Sequence, residues 1–237
     1  MPHLLYREQG PPPAWFNPGC SACPRLSVFL DEIRARYPHY HAAPVAPFGD
    51  LDARLLVVGL APGLHGANAT GRPFTGDHAG ILLYQTLHHF GFASAPCSHS
   101  REDGLALRDC RITNAVKCVP PANKPTTAET RQCNPFLKAE LMALPPGSLV
   151  LALGRAAHGA VLTALGLKGG DYPFAHGACH SLAKGSRLLD SYHCSRYNTQ
   201  TGRLTTRMFY EVFARARRLL EGGQEGDLEE ISPPGHG

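Results

Sequence analysis

Short apolar runs alternate along this chain with stretches whose apolar residues recur at helical spacing. The runs fall at 54–60 (RLLVVGL), 110–116 (CRITNAV), 148–153 (SLVLAL) and 187–192 (RLLDSY). Continuous apolar character over so few residues predicts strands covered on both faces, as in a parallel sheet. Helical patterns occupy 80–90, 129–143 and 155–165, and a last one, 205–220, closes the body. Thr126 and Glu129 have the form of a capping box, so Cys133 is expected in the opening turns of a helix that Pro135 kinks or shortens. Strands separated by helices predict an α/β chain, a three-layer α/β/α sandwich around a central four-stranded parallel sheet. Residues 1–16 are Pro-rich and 221–237 are rich in Gly and Glu, so both are expected to be flexible tails around a single domain, 17–220.

Sheets of this kind bind ligands beyond the carboxyl ends of their strands. Gly, polar and basic residues gather there. The first run leads into Ala61-Pro62-Gly63-Leu64-His65-Gly66, and the second into Lys117-Cys118 and Asn123-Lys124-Pro125. Gly154-Arg155 follows the third, and His193-Cys194-Ser195-Arg196 follows the fourth.

Composition changes the picture in two ways. Hydrophobic residues at 43% and charged residues at 18% are globular values, which excludes a wholly disordered chain. The net charge of +4 hides an asymmetry: beyond Leu220 lie Glu221, Glu225, Asp227, Glu229 and Glu230 with no Lys or Arg, so residues 1–220 hold all 23 basic residues. A body this basic suits a polyanionic partner. No apolar run is long enough to cross a bilayer, and MPHLLYREQGPPP lacks a basic region followed by an apolar core, so neither a membrane span nor a secretory signal is expected.

Eight cysteines without a signal peptide point to metal or redox use rather than to disulfides. Cys20 and Cys23 stand in a CxxC pair on one local turn. Cys118 follows the second run, and Cys133 lies further on. Two such pairs can ligate zinc or an iron–sulfur cluster, and Cys97, Cys110, Cys179 and Cys194 are rival partners.

Read together, the motifs resemble the uracil-DNA glycosylase superfamily, and within it family 5, the UDGb type. The matching blocks are Cys20-Ser21-Ala22-Cys23-Pro24, Gly59-Leu60-Ala61-Pro62-Gly63 and Gly71-Arg72-Pro73-Phe74-Thr75-Gly76-Asp77. Next come Asn114-Ala115-Val116-Lys117-Cys118-Val119-Pro120-Pro121 with Asn123-Lys124-Pro125, Cys133 and Leu151-Ala152-Leu153-Gly154-Arg155. The last block runs from Ser191-Tyr192-His193 through Ser195-Arg196-Tyr197-Asn198 and Gln200 to Gly202-Arg203. The resemblance implies a base-excision repair glycosylase that flips a deaminated base out of DNA and leaves an abasic site by hydrolysis. It also implies a [4Fe–4S] cluster on Cys20, Cys23, Cys118 and Cys133 with a structural role.

The same resemblance assigns the site. His193 is expected to donate a hydrogen bond to the uracil oxygen that gains charge as the base leaves. Other members of the superfamily carry a carboxylate within the first Gly-Pro block, where this chain has the apolar Leu60 and Ala61. Asp77 then becomes the candidate that orients water, although the same residue is well placed to cap the helix after it. Phe74 is expected to stack on the base, with Gly59, Ala61 and Gly63 bringing backbone close to it. Asn114 and Asn123 are rival readers of the uracil edge, since an amide offers donor and acceptor together. Family 5 members often have alanine at the first of these positions, so carrying both departs from their pattern. Arg72, Lys124, Arg155, Ser195, Arg196, Asn198 and Gln200 are expected to contact DNA. The implied partner is DNA containing uracil or other deaminated bases, met by a monomer that is cytoplasmic and nucleoid-associated. The alternative is a non-catalytic iron–sulfur module for nucleic-acid binding or electron transfer.

Overall fold

The computed structural model describes residues 15–222. Most of both expected tails lies outside them, but Trp15 and Phe16 do not: Phe16 is buried, and the Arg111 guanidinium lies 5.1 Å from the Trp15 ring.

The strands are β1 (Phe48–Gly49), β2 (Leu55–Gly59), β3 (Cys110–Asn114), β4 (Leu149–Leu153), β5 (Cys179–Ser181) and β6 (Arg187–Ser191). They form one sheet in the order β1-β3-β2-β4-β6-β5. The middle four are mutually parallel, while β1 and β5 add antiparallel edges. Among the described residues six strands therefore stand where four were expected. The additions are two and three residues long, too short for any periodicity to register.

Every residue of β2, β3 and β4 is buried, as predicted from their unbroken apolar character. Alternate residues serve opposite layers. Leu55, Val57, Leu149 and Leu151 pack on α3 (His78–His89) and α7 (Thr206–Leu220), whose Phe209, Val212, Phe213 and Ala216 recur on one helical face. Leu56, Val58, Val150 and Ala152 face α4 (Thr127–Ala143) and α5 (Arg155–Leu165). The three-layer architecture follows from these two faces.

At the start of α4 the capping box is present: Thr126 Oγ1 accepts from the Glu129 amide, and the Glu129 carboxylate accepts from the Thr126 amide. Pro135 neither ends nor shortens that helix, which runs on to Ala143. Among the described residues, three α-helices were not expected: α1 (Pro24–Arg36), the single turn α2 (Ala67–Thr70) and α6 (Arg196–Gln200). The last lies among residues expected to contact DNA. Its start is fixed by Ser195, whose hydroxyl accepts from the Asn198 amide.

Because β3 and β4 pair on opposite sides of β2, the chain switches direction at the end of β2. Gly59, Asn114, Leu153 and Ser191 then end their strands along one rim of the sheet. That is where an open α/β sheet forms its crevice. Among the described residues no helix is long and apolar enough to cross a membrane.

Candidate active site

At this rim lies a cavity of about 490 Å³. Its lining brings together Ala61, Gly63, Phe74, Asp77, Asn114, Asn123, His193, Ser195 and Arg196, which come from five separate sequence blocks. Gly59 explains how the floor closes. A Cβ there would fall 2.5 Å from Asn114 Oδ1 and 2.8 Å from Phe74 Cζ, so only glycine lets the ring and the amide approach the end of β2. Phe74 itself adopts φ +56°, a left-handed conformation costly for an aromatic residue. Tyr84 holds the turn by donating its hydroxyl to the Pro73 carbonyl at 2.7 Å, and Gly80 leaves room for the Phe74 carbonyl.

His193 lines the same cavity as Phe74. The two ring centroids are 6.0 Å apart with planes inclined by 28°. Asn198 fixes the backbone beside the imidazole, its side-chain amide donating to the His193 carbonyl at 2.8 Å. Burial pushes the imidazole pKa down to about 4. His193 is therefore neutral near pH 7, with one N–H to give.

Asp77 occupies the residue before α3, as expected, but its side chain makes no cap bond there. Instead Oδ2 accepts from the Ala67 amide at 3.2 Å, at the start of α2. The expected cap is thus corrected: the carboxylate turns back into the cavity over a bed of glycines. A Cβ on Gly66 would fall 1.9 Å from the carboxylate, and one on Gly63 would fall 2.6 Å from Oδ1. Burial raises the Asp77 pKa, opposed by the Ala67 hydrogen bond and by His65.

The two asparagines meet the same space from different heights. Asn114 is buried on the floor, and Asn123 is exposed at the mouth with φ +57°. Arg155, Asn198 and Arg203 line a neighbouring cavity of about 300 Å³ that shares Leu60 and His193 with the first. Lys124, Arg196 and Gln200 are exposed around the rim. Arg72 is not available there. Only 4% of it is exposed, and its guanidinium donates to Asp103 at 2.7 Å, Ser98 at 2.9 Å and the Arg101 carbonyl at 2.9 Å. It ties down the loop at 98–103, which corrects its expected place on DNA.

The four expected cysteine ligands also converge. Cys20, Cys23, Cys118 and Cys133 border one small cavity of about 20 Å³ between the start of α1, the segment after β3 and α4. Cys118 lies beyond the end of β3, in the turn that carries the chain away from the sheet. All four are free thiols, and Cys133 Sγ accepts from the Lys117 amide at 3.3 Å. Burial and the neighbouring sulfurs push the Cys118 thiol up to about 12, so without a cation the thiolates would be unfavourable. The rivals are elsewhere: Cys110 is within β3, and Cys194 donates its thiol to the Ala79 carbonyl.

The family model described as "Uracil DNA glycosylase superfamily" matches residues 46–217. The chain belongs to this superfamily. It is 49% identical over 205 residues to a type-5 uracil-DNA glycosylase of Thermus thermophilus, covering 84% of this chain and 93% of that one. A type-5 uracil-DNA glycosylase of Pyrobaculum aerophilum is 45% identical over 201 residues, with 83% and 87% covered. A type-4 uracil-DNA glycosylase of Thermotoga maritima is 35% identical over 143 residues, 58% of each chain. The resemblance to family 5 read from the motifs is borne out by these relatives.

Some supports of this glycosylase-superfamily site escaped sequence reading. Gly66, which seats Asp77, stood in a block already noted but carried no assignment. Arg25 was also missed. Its guanidinium grips Glu129 through two bonds of 2.6 and 2.7 Å and donates to the Lys124 carbonyl at 3.3 Å, holding the turn that presents Asn123. Its position just after the CxxC pair was the available signal.

Proposed function

We propose that this protein is a monofunctional uracil-DNA glycosylase of base-excision repair. The observation that carries the proposal is the meeting of a neutral His193, Phe74, Asp77 and Asn114 in one cavity at the sheet rim. A nucleotide extruded from the duplex places its base against the Phe74 face, where aromatic stacking offsets part of the unstacking cost. Asn114 on the floor and Asn123 at the mouth offer amide groups to the polar edge of the base.

As the glycosidic bond breaks, its electron pair goes to the base and negative charge grows on the base oxygen. The neutral His193 donates its N–H to that oxygen. A preorganised donor of this kind contributes about 10²–10³ in rate. In its carboxylate form Asp77 is able to orient a water toward the anomeric carbon and to offset the positive charge developing on the sugar. Water supplies the hydroxyl, and the products are a free base and an abasic site. The Arg196, Lys124, Arg155, Ser195, Asn198 and Gln200 neighbourhood suits the phosphates flanking the flipped nucleotide. Apolar Leu60 and Ala61 near the base suit a pocket that also accepts other deaminated bases, such as hypoxanthine. A monomer acting in the nucleoid fits this substrate, with the domain spanning 17–220.

The all-sulfur set of Cys20, Cys23, Cys118 and Cys133 fits a [4Fe–4S] cluster. That group would supply cross-linking of α1, the segment after β3 and α4. In its support, Arg25 and Lys117 lie next to ligands in sequence and brace the Asn123 turn and the Cys133 sulfur.

A uracil-containing duplex with its strand products resolved with and without alkali tests the reading. Strand breaks are expected only after alkali. His193→Ala and Asp77→Ala are each expected to lower base release by at least about 10² while DNA binding persists. Nicking without alkali would reject the monofunctional mechanism. Unchanged base release in both variants would reject the roles given to His193 and Asp77, and no base release by the parent would return the protein to the non-catalytic alternative.

A further inference from the structure

Far from the cysteine tetrad, a second group of metal-ligating side chains sits at the β5–β6 edge of the sheet. Asp190 on β6 is fully buried. His158 projects from α5 with 5% of its side chain exposed, and His180 stands on β5 with 14% exposed. One ligand atom from each lies within 4.8 Å of the other two.

The hydrogen bonding of this group does not close on its own. His158 Nδ1 lies 2.8 Å from Asp190 Oδ1, and its Nε2 lies 2.9 Å from the Tyr172 carbonyl. Both partners are acceptors, whereas a neutral imidazole has one N–H. Asp190 Oδ2 is buried with no hydrogen-bond partner. His180 Nε2 is 3.7 Å from it, too far for a hydrogen bond. That separation is one that two ligands, each about 2.0–2.1 Å from a shared ion, can span. His180 Nε2 meanwhile faces a further acceptor, the Pro173 carbonyl, at 3.2 Å. Two imidazoles are thus surrounded by a carboxylate and two carbonyls, and positive charge is what the group lacks.

We propose that His158, His180 and Asp190 bind one divalent transition-metal ion of the zinc class. Two imidazoles and a carboxylate are the borderline donors that such ions prefer. An ion on His158 Nδ1 leaves Nε2–H to donate to the Tyr172 carbonyl, the outer bond that commonly orients a ligating histidine. The same ion satisfies Asp190 Oδ2. The fourth position falls to the Pro173 carbonyl or to water. Its role is structural: it joins α5, β5 and β6 to the segment bearing Phe174, which meets the His158 ring edge-on and lies 5.3 Å from the Arg155 guanidinium.

The site stands apart from the glycosylase reading and is tested without it. Cobalt(II) chloride is titrated into the full-length protein with its cysteine site loaded as isolated. One equivalent is expected to bind with visible ligand-field bands and no sulfur-to-cobalt charge-transfer band, and zinc(II) is expected to displace it. His180→Ala, at the sheet edge, should abolish the spectrum, and Asp190→Asn should weaken binding by at least about tenfold. Zinc should raise the Tm of the parent protein and leave that of His180→Ala unmoved. The parent spectrum decides even if a variant fails to fold. Absence of cobalt uptake, uptake indifferent to His180→Ala, or a thiolate-type spectrum each overturns the proposal and leaves a protonated imidazole–carboxylate pair.

Discussion

His193 shows how a residue's surroundings set its chemistry. Thirteen histidines are present, and their type says nothing about charge. Burial alone lowers this one to about 4 from an ordinary value near 6.5. The sign for stability follows: the unfolded chain takes up a proton near pH 6.5 and the folded one does not, so stability falls as pH drops from about 6.5 toward 4. His193→Phe is expected to flatten that part of the stability curve, read as Tm against pH beside the parent. For Asp77 the sign concerns activity. In the proposed mechanism its charged form is the useful one, and its pKa is raised, so the acid limb of kcat/KM should lie above the ordinary carboxylate range. Asp77→Asn should remove that limb along with most of the rate. Gly66 offers a sharper test, because an added methyl would meet the carboxylate at 1.9 Å. Gly66→Ala should lower base release by about 10² with little change in Tm, since a small misplacement of a catalytic group is enough. Activity equal to that of the parent would show that Asp77 need not sit where it does.

At the scale of elements, the turn at 121–125 matters most. Ala122 and Asn123 both have positive φ, a strained pair that its surroundings must hold. The grip comes from α1 through Arg25, which also keeps the Glu129 carboxyl down at about 2. Arg25→Ala is expected to raise amide hydrogen exchange across 121–125 and to lower kcat/KM for the uracil duplex. Arg25→Lys, which keeps the charge and loses the fork, should recover only part of it. Unaltered exchange in Arg25→Ala would remove the clamp from the account. The same scale shows which elements were legible. The strands β2, β3 and β4 and the helices α4, α5 and α7 each bury a continuous run or a full stripe, and their patterns announce them. The edge strands and the single turns α2 and α6 are fixed by neighbours rather than by their own few residues. For α1 the reason differs: it buries only Leu26, Leu30 and Ile33, a thin stripe beside a mostly polar surface.

For the whole molecule, the cysteines join what the sheet does not. Cys133→Ala should release iron and sulfide from anaerobically purified protein and lower the Tm. Base release should fall with it, because the segments bearing Asn114 and Asn123 flank the same ligands. An iron content unchanged in Cys133→Ala would exclude Cys133 as a ligand.

Taken alone, the sequence determined the class of the fold, because apolar runs buried on two faces admit few arrangements. It also named nearly every residue that lines the cavity, since those residues cluster after strands in distinctive blocks. Tertiary structure decided what no linear pattern carries: that Arg72 is spent on the 98–103 loop, and that Asp77 turns from its own helix toward Ala67. It decided equally that His193 is neutral and that Arg25 holds the Asn123 turn. Charge state, side-chain direction and partnership depend on atoms contributed from far along the chain, and only folding brings those atoms within reach.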